Sequence, residues 1–344
     1  MNKNRIFRAA CAALMALLLS GCAGAPPAGS TASSSPGAPE ADTTASSSSG
    51  APAASPAVFP SDSALTITDS RGQTVTLSAK PDKVAALMGS YAQVWLLAGG
   101  ALAGTTEDAV ERGIDLPADT EVIGSVKEPN VERLLAMEPD LVLLSTDIES
   151  HTQVAETLEA AGIPCAFFRV ETFKEYLDML KCCTTLTGRA DLYEENGERI
   201  AQRIEAVKGK ASAADGHPTV LLIRALSTKA KALPEDNMVS LMAAELGADS
   251  ITARQPSLLE ELSMESILQE DPDYILAVPM GDTEKAKAAL AASIEADPAW
   301  SSLSAVKSGR YIVLDKELFH YKPNNRWAES YETLYEILYS DDGQ

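Results

Sequence analysis

The sequence predicts an α/β fold: two lobes with parallel sheets, joined by one long helix. Three observations carry this reading. Short apolar runs alternate with helical patterns along most of the chain. One block of sequence occurs twice. A long amphipathic helix lies between the two copies.

Composition bounds the function. The 344 residues include 49 Asp+Glu against 28 Lys+Arg, a formal charge of −21, and 45% are apolar. Such apolar content supports a folded protein. The acidity argues against a nucleic-acid partner and against docking on anionic lipid through a basic patch, because both need clustered cations. Only three histidines exist, His151, His217 and His320, too widely spaced for a multi-histidine metal centre. The five cysteines show no disulfide framework.

The first elements are a leader and a tether. Residues 1–21 carry Lys3, Arg5 and Arg8, then an apolar run over Ala9–Leu19, then Ser20-Gly21 before Cys22. The run is shorter than the roughly 20 residues that span a bilayer, so it reads as a secretory leader. Cys22 after Ser-Gly resembles a bacterial lipobox, whose thiol is acylated; an ordinary leader with a chance cysteine is the alternative. Residues 22–63 are rich in Ala, Gly, Pro, Ser and Thr and read as a solvated tether with a reach of some 35 Å.

The N-lobe, residues 64–188, opens with two alternating runs, Leu65–Thr68 and Thr74–Leu77, around Asp69-Ser-Arg-Gly72. This is a β-hairpin. Val84–Thr106 has no charged residue but is broken by Gly89, Gly99 and Gly100, so it reads as a buried strand, turn and helix. Strands follow at Asp140–Ser145 and Pro164–Val170. Residues 189–210 form the interlobe helix, with Leu192, Ile200, Ile204 and Val207 at helical spacing and a length of roughly 30 Å. The C-lobe, residues 211–344, adds Thr219–Leu226, Asp273–Pro279 and Arg310–Asp315. Alternation of this kind predicts parallel sheets in both lobes, each Rossmann-like.

The repeat links the two halves. Asn130–Leu143 aligns without a gap on Ser263–Leu276. Each copy has a capping residue, a short amphipathic helix, and a proline (Pro139, Pro272) ahead of an apolar strand. Glu132 and Glu265 fall at equivalent places in the first turn. Either glutamate alone is explained by the helix macrodipole, worth about 0.3–1 kcal/mol. The pair is explained less well.

These blocks, with the ending Pro298–Leu314, resemble the substrate-binding proteins of ABC importers for iron–siderophore complexes, haem and cobalamin. The resemblance covers roughly Leu65 to Tyr339. It implies a non-enzymatic lipoprotein receptor and a monomer, held at the extracytoplasmic face of the bacterial plasma membrane through Cys22. It also implies that Glu132 and Glu265 dock onto arginines of the permease dimer, which works with its ATPase. No intrinsic cofactor and no metal ligand is expected. The transported ligand is expected to be an iron complex.

Ligand should lie in the cleft between the lobes, beyond the C-terminal ends of the strands. Those ends supply Ser90, Tyr91, Asp147, Arg169 and Arg224, with His320, Tyr321, Lys322 and Arg326 in the last loop; Arg254, in the loop leading to the Glu265 helix, is a further candidate. Arginines there suit the oxygens of an anionic chelate, although any single arginine more often pairs with a neighbouring carboxylate. Arg169, Arg224 and Arg326 are the favoured contacts. His320 and Tyr321 keep haem open as the alternative, with cobalamin beside it. Tyr91, Tyr321, Phe319 and Trp327 are the candidate aromatic walls. An oxyanion receptor and a surface adhesin rank lower, and no nucleophile or metalloprotease motif supports an enzyme. Cys165, Cys182 and Cys183 read as core.

Overall fold

The computed structural model describes residues 64–339. The leader, Cys22 and the tether lie outside the described residues. The hairpin pairs β1 (Leu65–Thr68) with β2 (Thr74–Leu77), antiparallel as expected. Gly72 at φ +75° closes its turn, a conformation that costs glycine little. The turn is pinned to the N-lobe because Ser70 N–H donates to the Phe167 carbonyl at 2.8 Å.

The N-lobe sheet contains β3 (Val84–Ala86), β4 (Leu102–Thr105), β5 (Glu121–Val122), β6 (Leu141–Ser145) and β7 (Cys165–Phe168), in the order β5-β4-β3-β6-β7. All are parallel. The C-lobe contains β8 (Thr219–Ala225), β9 (Ala230–Ala232), β10 (Asp249–Ser250), β11 (Tyr274–Pro279) and β12 (Tyr311–Val313), in the order β10-β8-β11-β12. One strand departs from the expected parallel arrangement: β9 folds back antiparallel on β8.

Both faces of each sheet are covered, which is why the central strands read as unbroken apolar runs. Val84, Ala86, Leu141, Leu143 and Phe168 face a core shared with Val220, Leu222, Leu276 and Val278 of the other lobe. Alternate residues such as Val142, Leu144 and Phe167 face an outer N-lobe cluster, and Leu221, Ile223 and Ile275 an outer C-lobe cluster.

The interlobe helix runs from Ala190 to Ala213, longer than expected, with one π-turn over Glu194–Glu198. That turn contains Gly197, where a Cβ would stand 2.9 Å from Leu177 Cδ2, so glycine lets the preceding helix approach. The first part of the run holds the N-lobe, where Asn196 donates to the Leu97 carbonyl. The second part holds the C-lobe, through Lys208–Glu245 and Arg203–Glu332. Ile200, Ile204 and Val207 are buried in the shared core.

The repeat is reproduced residue for residue. Helix Val131–Met137 precedes β6 as helix Met264–Glu270 precedes β11, with both helix bounds and the strand starts displaced by 133 positions. Asn130 and Ser263 cap their helices by accepting from Arg133 N–H and Ser266 N–H.

Candidate functional site

The order of the N-lobe sheet reverses at β3 and β6, so the crevice beyond their C-terminal ends is the expected ligand position. Its base is filled by protein. Gly89 N–H, at the start of helix Gly89–Leu97, donates to Asp108 Oδ2 at 2.8 Å. A Cβ on Gly89 would come within 2.8 Å of the Ala109 backbone, so only glycine permits this approach. Groups free to meet a ligand therefore lie farther out.

Two expected contacts are corrected here. Tyr91 is 1% exposed, and its hydroxyl donates to the Phe168 carbonyl at 3.0 Å. Burial pushes its phenol well above the usual tyrosine range, so it is a neutral core residue. Ser90 is also buried, and its carbonyl accepts from Asn324 Nδ2 at 2.9 Å. Asn324 belongs to the C-lobe, has φ +53° and also reaches Gln93 Oε1, so these residues fasten the lobes together. Trp327 and Phe319 are core as well, leaving few aromatic walls in the cleft.

Arg169 lies at the cleft, but its guanidinium is engaged. It donates to Glu175 Oε1 at 2.8 Å, with Asp147 at 3.6 Å. Glu175 is fixed because it completes a capping box with Thr172 at the start of helix Phe173–Thr187. Hydrogen bonds from Glu171 N–H and Arg169 outweigh burial and hold Glu175 below the usual carboxylate range. Burial, then the neighbouring Glu171, raises Asp147, and Arg169 opposes this.

Arg326 and Arg254 are not brought to the cleft cluster. Arg326 forms a two-pronged pair with Glu329, one turn away, and is exposed. Arg254 donates to Glu270, at the C-terminal end of its helix and near the start of β11. That is the opposite side of the sheet from the strand ends.

The remaining cations converge on the loop after β12. Arg224, on the penultimate residue of β8, has no carboxylate partner among the described residues. Arg112, just past helix Glu107–Glu111 of the N-lobe, lies 4.7 Å from the Tyr321 ring centroid of the C-lobe. Its Nε is buried without a partner. Burial holds Arg112 below the ordinary arginine range, against the pull of Glu317 and Asp108. Lys316 Nζ stands 5.4 Å from the same ring. Lys322 pairs across the cleft with Glu171.

His320 records this convergence. Burial lowers its pKa to about 4, with further lowering from Lys322, Arg224, Lys316 and Arg112. It is a neutral imidazole at pH 7, and the Tyr321 ring lies 5.0 Å away. Sequence reasoning missed Arg112 and Lys316. Lys316 sits three residues past β12, where counting the residues of the strand-end loop would have found it, whereas Arg112 lies beyond the short helix that follows β4.

Glu132 and Glu265 are exposed at the first turns of the repeated helices, with no ion-pair partner among the described residues. His151 is buried: Nδ1 accepts from Ser145 N–H and Nε2 lies 2.9 Å from the Val126 carbonyl, an ordinary structural role as expected. His217 is exposed beside the Gly247 carbonyl. Cys165 is buried and Cys182 is half-buried against the core, and burial raises their thiols to about 12 and about 11. Among the described residues, no helix is long and apolar enough to cross a membrane, and no cluster of metal-ligating side chains occurs.

This arrangement of two linked lobes has clear relatives. The family model described as periplasmic binding protein matches residues 84–318. The chain belongs to the periplasmic binding protein family. It is a family of binding proteins, so the chain is not an enzyme. The chain is 25% identical over 294 residues to YvrC of Bacillus subtilis, an uncharacterised ABC transporter substrate-binding lipoprotein, covering 83% of this chain and 87% of the relative. Two solved structures share the periplasmic binding protein fold. FeuA of Bacillus subtilis, complexed with ferri-bacillibactin, has a TM-score of 0.61 at 22% identity over 79% of this chain and 97% of its own. IsdE of Staphylococcus aureus, complexed with haem, has a TM-score of 0.62 at 17% identity over 75% and 99%.

Proposed function

We propose that the chain is a membrane-anchored receptor that captures an anionic ferric chelate in the cleft and delivers it to an ABC permease. One observation carries the proposal: Arg112, Arg224, Lys316 and Lys322 surround His320 in a chain of net charge −21. Three of these cations have no carboxylate within ion-pair distance among the described residues. Guanidinium and ammonium groups in a partly desolvated cleft suit catecholate, hydroxamate or carboxylate oxygens. The bound ferri-bacillibactin of FeuA supports this ligand class.

Cys22 is the lipid anchor in this reading, and Glu132 and Glu265 are the permease contacts. Their exposure and unpaired state suit arginine forks, which fix orientation and speed encounter.

Haem is the second reading, favoured by the neutral His320 beside Tyr321, which could supply an axial ligand. Burial of Tyr91, Phe319 and Trp327 leaves few walls for a flat macrocycle and places haem second.

A thermal-shift and tryptophan-fluorescence screen of residues 60–344 tests the proposal, with ferric hydroxamates, ferric catecholates, haemin, cobalamin, molybdate and zinc. A ligand at 100 times its Kd adds about 2.7 kcal/mol of stability. A ferric chelate as the strongest hit supports the proposal. A Soret shift with haemin alone would move the assignment to haem, and no response to any iron complex would sink it.

A further inference from the structure

Glu171 and Lys322 form an ion pair between the lobes, and both side chains are largely enclosed, at 19% and 13% exposure. Solvent therefore screens the pair weakly. Glu171 follows Val170 at the end of the β7 segment, and its backbone N–H is fixed by Glu175 Oε2 at 2.7 Å. Glu175 also holds Thr172 and Arg169, so neither the helix cap nor Arg169 needs the Glu171 carboxylate. Among the described residues, that carboxylate accepts a hydrogen bond from Lys322 alone.

The cations around His320 are therefore not equivalent. Arg112, Arg224 and Lys316 lack an ion pair among the described residues, whereas Lys322 is already neutralised by the opposite lobe. Asp147 and Glu175 stand close by, so the Glu171 side of the cleft holds three carboxylates against Arg169 and Lys322. A strongly anionic ligand has to displace one of these carboxylates from Lys322 and then lie beside it.

We propose that Glu171 is a specificity-determining residue: it acts as an internal anion that competes with the ligand for Lys322 and so sets the net charge of the chelate accepted. This rests on the chelate-receptor reading above. It requires opposite effects from the two partners. Removing the Glu171 charge frees Lys322 and removes a like charge, so trianionic ligands bind more tightly. Removing the Lys322 charge weakens them. A carboxylate that only braced the fold would move every ligand in the same direction.

The experiment measures Kd by fluorescence quenching on the full-length protein and its Glu171→Gln and Lys322→Gln variants. The probes are ferri-bacillibactin, a trianionic tris-catecholate, and ferrioxamine B, a trishydroxamate whose ammonium leaves it cationic. Glu171→Gln should bind the trianion at least tenfold more tightly without any gain for the cationic probe, and Lys322→Gln should lose at least tenfold for the trianion. Equal or weaker trianion binding by Glu171→Gln overturns the proposal, as does an equal gain for both probes.

A ligand-free arm separates this proposal from the reading beneath it. Acetic anhydride should modify Lys322 at least threefold faster in Glu171→Gln than in wild type, relative to the exposed Lys210. If wild type binds no ferric chelate of the screen above, the receptor reading falls; an unchanged Lys322 rate overturns the competition itself.

Discussion

Glu138 and Asp271, 133 positions apart, each end their helix in the left-handed conformation, at φ 50° and 38°. Non-glycine residues seldom adopt that region, so its recurrence extends the internal repeat from sequence to backbone. The two helices thus present Glu132 and Glu265 from matching frames.

That symmetry leads to the first prediction. Combined Glu132→Ala and Glu265→Ala should abolish ligand uptake in cells while leaving the Kd and Tm of the purified protein within error. Both side chains are exposed and unpaired among the described residues, so little stability rests on them. A fall in ligand affinity would remove the docking assignment.

Tyr91 should prove structural. Tyr91→Phe removes one of the two donors to the buried Phe168 carbonyl, which keeps the Thr146 N–H, and should cost about 0.5–1.5 kcal/mol in urea unfolding. Ligand affinity should stay within twofold. A large affinity loss with little change in stability would return Tyr91 to the ligand.

His320 makes stability depend on pH. Its folded pKa is about 4, against about 6.5 in an unfolded chain. Below pH 6.5 the unfolded chain takes up a proton that folded His320 refuses. Its contribution is complete above pH 6.5 and is lost as pH falls toward 4, by up to about 3 kcal/mol. Urea unfolding at pH 7, 5.5 and 4.5 should show wild type losing stability faster than His320→Gln on acidification. Parallel curves would mean that His320 titrates normally.

Gly89 should tolerate no side chain. In Gly89→Ala the new Cβ meets the Ala109 backbone at 2.8 Å, where neither side is a flexible tip. Overpacking of this kind costs about 1–3 kcal/mol, visible as a lower Tm. An unchanged Tm would show that helix Glu107–Glu111 moves freely.

The sequence made the central strands legible because β6, β8 and β11 are buried on both faces and therefore unbrokenly apolar. It did not reveal β4, whose four residues include Gly104, nor β5, β9 or β10, which have two or three residues each and exist only through pairing with a longer neighbour. The site divides in the same way. Strand ends located Asp147, Arg169 and Arg224, but only three-dimensional neighbours show that Arg169 belongs to Glu175. The Thr172–Glu175 spacing was a readable capping box that could have warned of this. Arg112 lies one short helix beyond its strand, and its approach to Tyr321 depends on the packing of two lobes.

The most direct test is the affinity of Arg112→Ala combined with Arg224→Ala for the ferric chelate that wild type binds best, measured by fluorescence quenching at constant salt. At least a hundredfold loss is expected with Tm little changed, since both guanidiniums lack ion pairs among the described residues. Undiminished affinity in a folded double variant would contradict the claim that the cleft cations hold an anionic ligand.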